Sequence, residues 1–197
     1  MSKLLIAGLL ILIAFGGYAM TTYNGLVSQD ESANAAWSEI QNQYKRRFDL
    51  VPQLVETVKG AANFEKDTIT AVTEARAGVA KTQLPEGGVP SQEQMDAYLK
   101  AQKELGSSLG RLLVTVEAYP ELKATGNFRA LQDQLEGTEN RIAVARRDYI
   151  DAIQVFNSRV RKFPGNVVAG MVGLERRPQL EFDEEAVQQV PKVDFSK

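Results

Sequence analysis

Leu4 to Met20 reads LLIAGLLILIAFGGYAM, seventeen residues without a charge, and no charged residue follows Lys3 until Asp30. As a helix this run spans about 26 Å, just under the roughly 30 Å of a bilayer's hydrocarbon core. Thr21, Thr22 and Tyr23 complete the crossing, so residues 4–23 are predicted to form a transmembrane helix behind a short tail at 1–3. Tyr18 and Tyr23 fall near the interface, where amphipathic rings are favoured. The competing reading is a signal peptide cleaved at Gly17-Tyr18-Ala19, a small-x-small site. The length of the run and an n-region with a single Lys favour the anchor. The side of the membrane follows from charge: Lys3 and the amino terminus precede the span, and the next twenty residues carry only Asp30, Glu31 and Glu39. The positive-inside rule therefore places the N-terminus in the cytoplasm and the body of the protein outside it.

Beyond the span, apolar residues recur at helical spacing for nearly the whole chain. The first stripe is Ala33, Trp37, Ile40, Tyr44, Phe48, Val51, Val55, Val58 and Ala62, carried on by Ile69, Val72 and Val79. Pro52 lies inside it and predicts a kink rather than a stop, because the stripe keeps its phase on both sides. Leu84 to Ser91 holds two Pro and two Gly and reads as a linker. Ser91 with Gln94 makes a capping-box start for a second helix along Met95, Tyr98, Gln102, Leu105, Leu109, Leu112 and Val116. A third is expected from an N-cap at Asn127, along Phe128, Leu131, Leu135, Thr138, Ile142, Ala145, Tyr149, Ala152, Phe156, Val160 and Phe163. Alternating steps of three and four make these coiled-coil-like seams. Asn166 to Leu174 reads as a short fourth helix, and 175–197 as an extended polar tail. Helices of roughly 50, 28 and 36 residues would measure about 75, 42 and 54 Å. They must bury their stripes on one another, so the fold class is all-α, an elongated antiparallel bundle over 24–174.

Composition narrows the chemistry. The 197 residues contain no Cys and no His, which removes disulfides, lipoprotein acylation, thiolate and imidazole catalysis, and most transition-metal sites. A net charge of −2 argues against a nucleic-acid binder. Di-metal carboxylate sites in helical bundles use Glu-x-x-His, and the His is missing, so Glu117 and Glu139 read as seam-flanking residues. No glycine-rich phosphate loop is present, and Gly106 and Gly110, inside a helix, read as points of closer packing.

Several stretches closely resemble the LemA family of bacterial membrane-anchored helical proteins. They include Tyr23-Asn24-Gly25-Leu26-Val27, Ala36-Trp37-Ser38-Glu39-Ile40, Lys45-Arg46-Arg47-Phe48-Asp49-Leu50-Val51-Pro52 and Leu54-Val55-Glu56-Thr57-Val58-Lys59-Gly60. Glu117-Ala118-Tyr119-Pro120-Glu121-Leu122, Thr138-Glu139-Asn140-Arg141-Ile142-Ala143, Phe163-Pro164-Gly165-Asn166 and Pro191-Lys192-Val193-Asp194-Phe195 continue it to the C-terminus. The resemblance implies one membrane helix and an antiparallel helical bundle in the bacterial cytoplasmic membrane. It implies no catalytic residue, because the family has no generally established activity.

Two polar clusters are the candidate functional residues. Lys45, Arg46 and Arg47 form the densest basic group and a candidate interaction surface, against the plainer reading of a solvated face or interhelical pair. Glu139, Asn140 and Arg141 interrupt an apolar flank and could join polar groups of the first helix in a buried network that fixes register. Trp37, the single Trp, falls on a seam and reads as core. The expectation is a non-enzymatic membrane-anchored scaffold, acting by self-association or partner binding, with no cofactor, metal, nucleic acid or small-molecule substrate. The alternative is a lipid-binding or envelope-remodelling protein that uses its basic patches.

Overall fold

The computed structural model describes residues 2–61, 64–85 and 87–180. Among them all regular structure is helical: α1 (Ser2–Lys59), α2 (Lys66–Lys81), α3 (Gln92–Val116), α4 (Pro120–Lys123), α5 (Gly126–Arg161) and α6 (Gly165–Val172). The all-α class is the one the periodicity predicts. Ala62 and the Pro191 to Phe195 motif lie outside the described residues, as does the tail beyond Leu180.

α1 joins two chemically different halves without interruption. From Lys3 to Thr21 every side chain is exposed except the half-buried Ala19, with Leu4 80% and Ile11 69% accessible. This stretch packs on almost nothing and is long and apolar enough to cross a membrane. From Leu26 onward the same helix has a buried face of Ala33, Trp37, Ile40, Tyr44, Val51, Leu54 and Val58. α5, at 36 residues, is about 54 Å long and matches this second half of α1.

Side-chain pairs fix the directions. Trp37 meets Tyr149 with ring centroids 5.6 Å apart, and Arg47 meets Glu139 at 2.7 Å, so α1 and α5 run antiparallel. Trp37 also meets Tyr98 edge-on at 6.2 Å and Arg47 reaches Gln102, so α3 runs with α1. α2 packs chiefly on α3. Trp37, Tyr149, Phe128 and Phe156 are among the largest fully buried side chains, and such rings dominate the burial energy of a core this thin.

The expected first helix is divided. α1 ends at Lys59 and α2 begins at Lys66. Val58 and Ile69 are eleven residues apart, three helical turns, so the stripe stays in phase whether the chain runs straight or turns back. Gly60 lies in the turn just past the helix end, and the Ala61 N–H bonds back to the Val58 carbonyl at 3.1 Å. The third long helix starts earlier than expected: Thr125 is its N-cap, with its hydroxyl accepting from the Phe128 N–H at 3.3 Å. At Ser91 the expected capping box is present in full.

α1 runs on as helix through Pro52, and a neighbour repairs the defect. Pro52 has no N–H, so the Phe48 carbonyl four residues back loses its intrahelical donor. Arg76 of α2 donates its Nε–H to that carbonyl at 3.3 Å, and its guanidinium lies 3.8 Å from the centre of the Phe48 ring. The proline thus creates an acceptor that binds α2 to α1.

Candidate functional site

The seam of α1 places a cation at the heart of the body. Ala33, Trp37, Ile40, Tyr44, Arg47, Val51, Leu54 and Val58 alternate steps of four and three, and all are buried. A guanidinium there must find acceptors, because an unpaired buried charge is strongly unfavourable. Arg47 donates to Glu139 Oε1 at 2.7 Å, to the Gln102 carbonyl at 2.7 Å and to Gln102 Oε1 at 2.6 Å. Gln102 itself occupies a seam position of α3, so two polar seam residues meet. A Cβ on Gly106 would stand 3.3 Å from Arg47 Nη1, so the glycine leaves room for the guanidinium; Gly110 has nothing near it. Tyr44 stacks beneath Arg47, with the guanidinium 5.0 Å from its ring centre.

Burial raises the phenol pKa values around this centre. Tyr98 is pushed up to about 12 by burial, with Gln102 hydrogen-bonded beside it drawing it partly back. Tyr44 is also raised by burial, opposed by the nearby Arg146 and Arg47. Both phenols stay neutral at ordinary pH and serve as hydrogen-bonding edges. An open groove of about 700 Å³ reaches Tyr44, bordered by Arg47, Glu139, Arg146, Lys100 and Asp96. With both signs of charge on its rim, the groove does not select for an anion.

The structure divides both predicted clusters. Lys45 and Arg46 are exposed, whereas Arg47 turns inward and is 4% accessible, so the basic group is not one surface and its third cation makes an interhelical pair. Glu139 joins Arg47, while Asn140 and Arg141 face solvent. The partners that complete the buried group, Gln102 and Gly106, come from α3. Their signal in the sequence is a polar residue at a strict seam position on each of two helices.

A second polar assembly lies nearer the apolar segment. After α6 the chain runs back along the body without regular structure, and Leu180 is buried in the core. Arg177 forks onto Asp30, Nε to Oδ1 and Nη2 to Oδ2, both at 2.7 Å. Asn157 brackets the Arg177 backbone, donating to its carbonyl at 2.9 Å and accepting its N–H at 2.8 Å. The Tyr149 hydroxyl donates to the Pro178 carbonyl at 2.8 Å, and burial raises this phenol as well. The Asp30 carboxylate beside Arg177 raises the guanidinium pKa further. These contacts tie the segment to α1 and α5 together.

At the opposite end, where α1 turns into α2 and α3 into α4, a cleft of about 900 Å³ is lined by Thr57, Ala61, Ala118, Pro120, Glu121 and Asn127, among others. Tyr119 also lines it, and its ring packs on that of Phe64 with centroids 4.9 Å apart. Among the described residues no group of three or more His, Cys, Asp or Glu side chains is placed to hold a metal ion.

Comparison with known proteins comes down on one family. A family model described as LemA matches residues 36–195. The chain is 28% identical over 189 residues to the magnetosome protein MamQ 2 of Paramagnetospirillum magneticum, covering 88% of this chain and 70% of that protein. The magnetosome protein MamQ of Magnetospirillum gryphiswaldense is 27% identical over the same coverage. Protein LemA of Metamycoplasma hominis is 26% identical over 146 residues, 74% of this chain and 62% of that protein.

Proposed function

Since the chain belongs to the LemA family, we propose that it is a non-catalytic, membrane-anchored stalk that presents a protein-binding surface away from the bilayer. The carrying observation is α1, one unbroken helix from Ser2 to Lys59 whose first third is bare and whose remainder is the central rib of the body. With residues 4–23 in a bilayer, the far cleft stands about 54 Å from the membrane surface. Retention of the segment, rather than cleavage at Gly17-Tyr18-Ala19, is supported by Ala19, which packs against the α6 cluster. The membrane is the cytoplasmic membrane of a bacterium, and the body lies on its outer side by the charge asymmetry around the span. The distal cleft is the surface we assign to a partner, another protein or a second copy of this chain. It is concave and partly apolar and lies farthest from the lipid.

The test is a photo-crosslinking amino acid at Ala118, in the cleft, introduced into the native cell, with Val114 on the exposed flank of α3 as control. A reproducible adduct from Ala118, absent from Val114 and lost when Ala61→Arg fills the cleft, is the expected result. No adduct from Ala118, together with a monomer in nanodiscs at cellular concentration, would refute the proposal. A reporter fused after Lys197 and active on one side of the membrane only decides the orientation.

A further inference from the structure

We propose that the α5–α6 turn and α6 form a second contact with the bilayer, at the depth where α1 leaves it. In this contact apolar side chains of the turn and helix seat in interfacial lipid, and a basic groove above them binds anionic headgroups. The proposal rests on residues 4–23 of α1 crossing the membrane, and its test separates the two.

Depth follows from register. Along the antiparallel pair, Arg47 meets Glu139 and Trp37 meets Tyr149, each step toward the N-terminus of α1 matched by one toward the C-terminus of α5. The Arg159 guanidinium lies so close over Gly25 that an added Cβ would be 2.6 Å from it. Carried on, this register puts Phe163 level with Tyr23, the end of the apolar stretch. α6 then folds against α1 through Val168 and Ala169, which share a buried cluster with Leu26 and pack on Ala19. Ala19 is one turn, about 6 Å, deeper than Tyr23. Gly165 is required at this fold-back, since a Cβ there would collide with the Arg159 carbonyl.

What α6 leaves uncovered suits that depth. Phe163 and Met171 are 80% and 77% accessible, and Val167 and Val172 are also exposed. In water such a patch on an eight-residue helix would be an anomaly, but it is continuous with the bare apolar face of α1. Apolar side chains on one face with cations beside them are the mark of a helix lying in the interface. The cations are Arg161, Lys162 and Arg176, which line a groove of about 420 Å³ with Gln154, Ser158 and Gln179; among the described residues no carboxylate lines it. Each cation near an anionic bilayer surface adds to its attraction. The shared chemistry is a phosphate group of net negative charge; an anionic lipid presents it beside apolar chain, and free phosphate presents it alone.

The chain has no Cys, so single-cysteine variants of the full protein can be spin-labelled without a background. Ile11→Cys in the span, Val167→Cys and Met171→Cys on α6, and Val114→Cys on the body are reconstituted into vesicles of phosphatidylcholine with or without phosphatidylglycerol. Accessibility to oxygen and to a water-soluble nickel complex is then compared. The expected result is a several-fold lower nickel accessibility at Val167 and Met171 than at Val114, deepened by phosphatidylglycerol. The triple variant Arg161→Glu, Lys162→Glu, Arg176→Glu is expected to abolish that deepening, and inorganic phosphate added to neutral vesicles is expected to leave it unproduced. Nickel accessibility at α6 equal to that at Val114, with Ile11 buried in lipid, overturns this proposal and leaves the anchor standing. A wet Ile11 overturns both. Equal behaviour in neutral and anionic vesicles, or the same shift from phosphate alone, overturns the headgroup assignment.

Discussion

Arg47 and Arg177 each close an ion pair between distant parts of the chain, yet they solve opposite problems. At Arg47 the cation is buried and the carboxylate half in water, with side-chain exposures of 5% and 50%. At Arg177 the exposures are 31% for the guanidinium and 13% for Asp30, so the buried charge is the anion. The free energy at stake in a pair lies with the member that cannot rehydrate when its partner is removed. The residue whose loss hurts most is therefore the wetter one in each pair: Glu139 in the middle of the body, Arg177 nearer the span.

Four substitutions test this asymmetry. Arg177→Ala is expected to have the largest effect, about 3 kcal/mol, because it strands Asp30 and loosens the segment that seats Leu180. Asp30→Asn is expected to lose much less, since the guanidinium left behind can hydrate; thermal unfolding of the detergent-solubilised chain reads both. Equal losses would erase the asymmetry. In the central pair the order reverses. Glu139→Ala is expected to lose about 2 kcal/mol, discounted for the half-exposed carboxylate and for the two acceptors Gln102 still supplies. Arg47→Met, which removes the buried charge and keeps most of its volume, is expected to lose less in the same assay.

The central phenols add a dependence on pH. Because burial raises Tyr98 to about 12 from the ordinary phenol value of 10.0, the folded chain keeps a proton the unfolded chain gives up. That contribution is complete below pH 10 and is lost as pH rises toward 12, with a slope approaching about 1.4 kcal/mol per pH unit. Tyr98→Phe is expected to flatten the alkaline fall in melting temperature. An unchanged profile would mean that this phenol is not shielded as described.

The smallest expected effect concerns Pro52. Arg76→Ala is expected to lose about 1 kcal/mol, less than a hydrogen bond to a charged donor usually contributes, because this one is long, at 3.3 Å, and only part-buried. In a Pro52→Ala background the Phe48 carbonyl regains its helical donor, so the same substitution is expected to lose only the ring contact. Equal losses in the two backgrounds would show that Arg76 does not serve the proline's orphan.

Much of this was legible in the sequence, and the failures have identifiable causes. The bare span, the capping box at Ser91 and the core place of Trp37 and Tyr149 follow from local chemistry. The break after Lys59 was hidden because an interval of eleven residues preserves helical phase across a turn. Arg47 was hidden because Phe48, one residue on, is the conventional choice for a seam. Only the strict alternation from Ala33 to Val58 assigns the seam position to the arginine. The docking of Arg177, with Asn157 bracketing its backbone, joins residues 147 apart in its ion pair, and no periodicity reports such a pairing.

The continuity of α1 also has a mechanical side. With its first third in a bilayer, the helix has no joint at which a change in membrane thickness could be absorbed before it reaches the body. Spans answer thickness by tilting, and a change of about 10°, well inside the range they show, would swing a tip some 54 Å away through about 9 Å. The far cleft would therefore register the state of the lipid in which the opposite end is embedded.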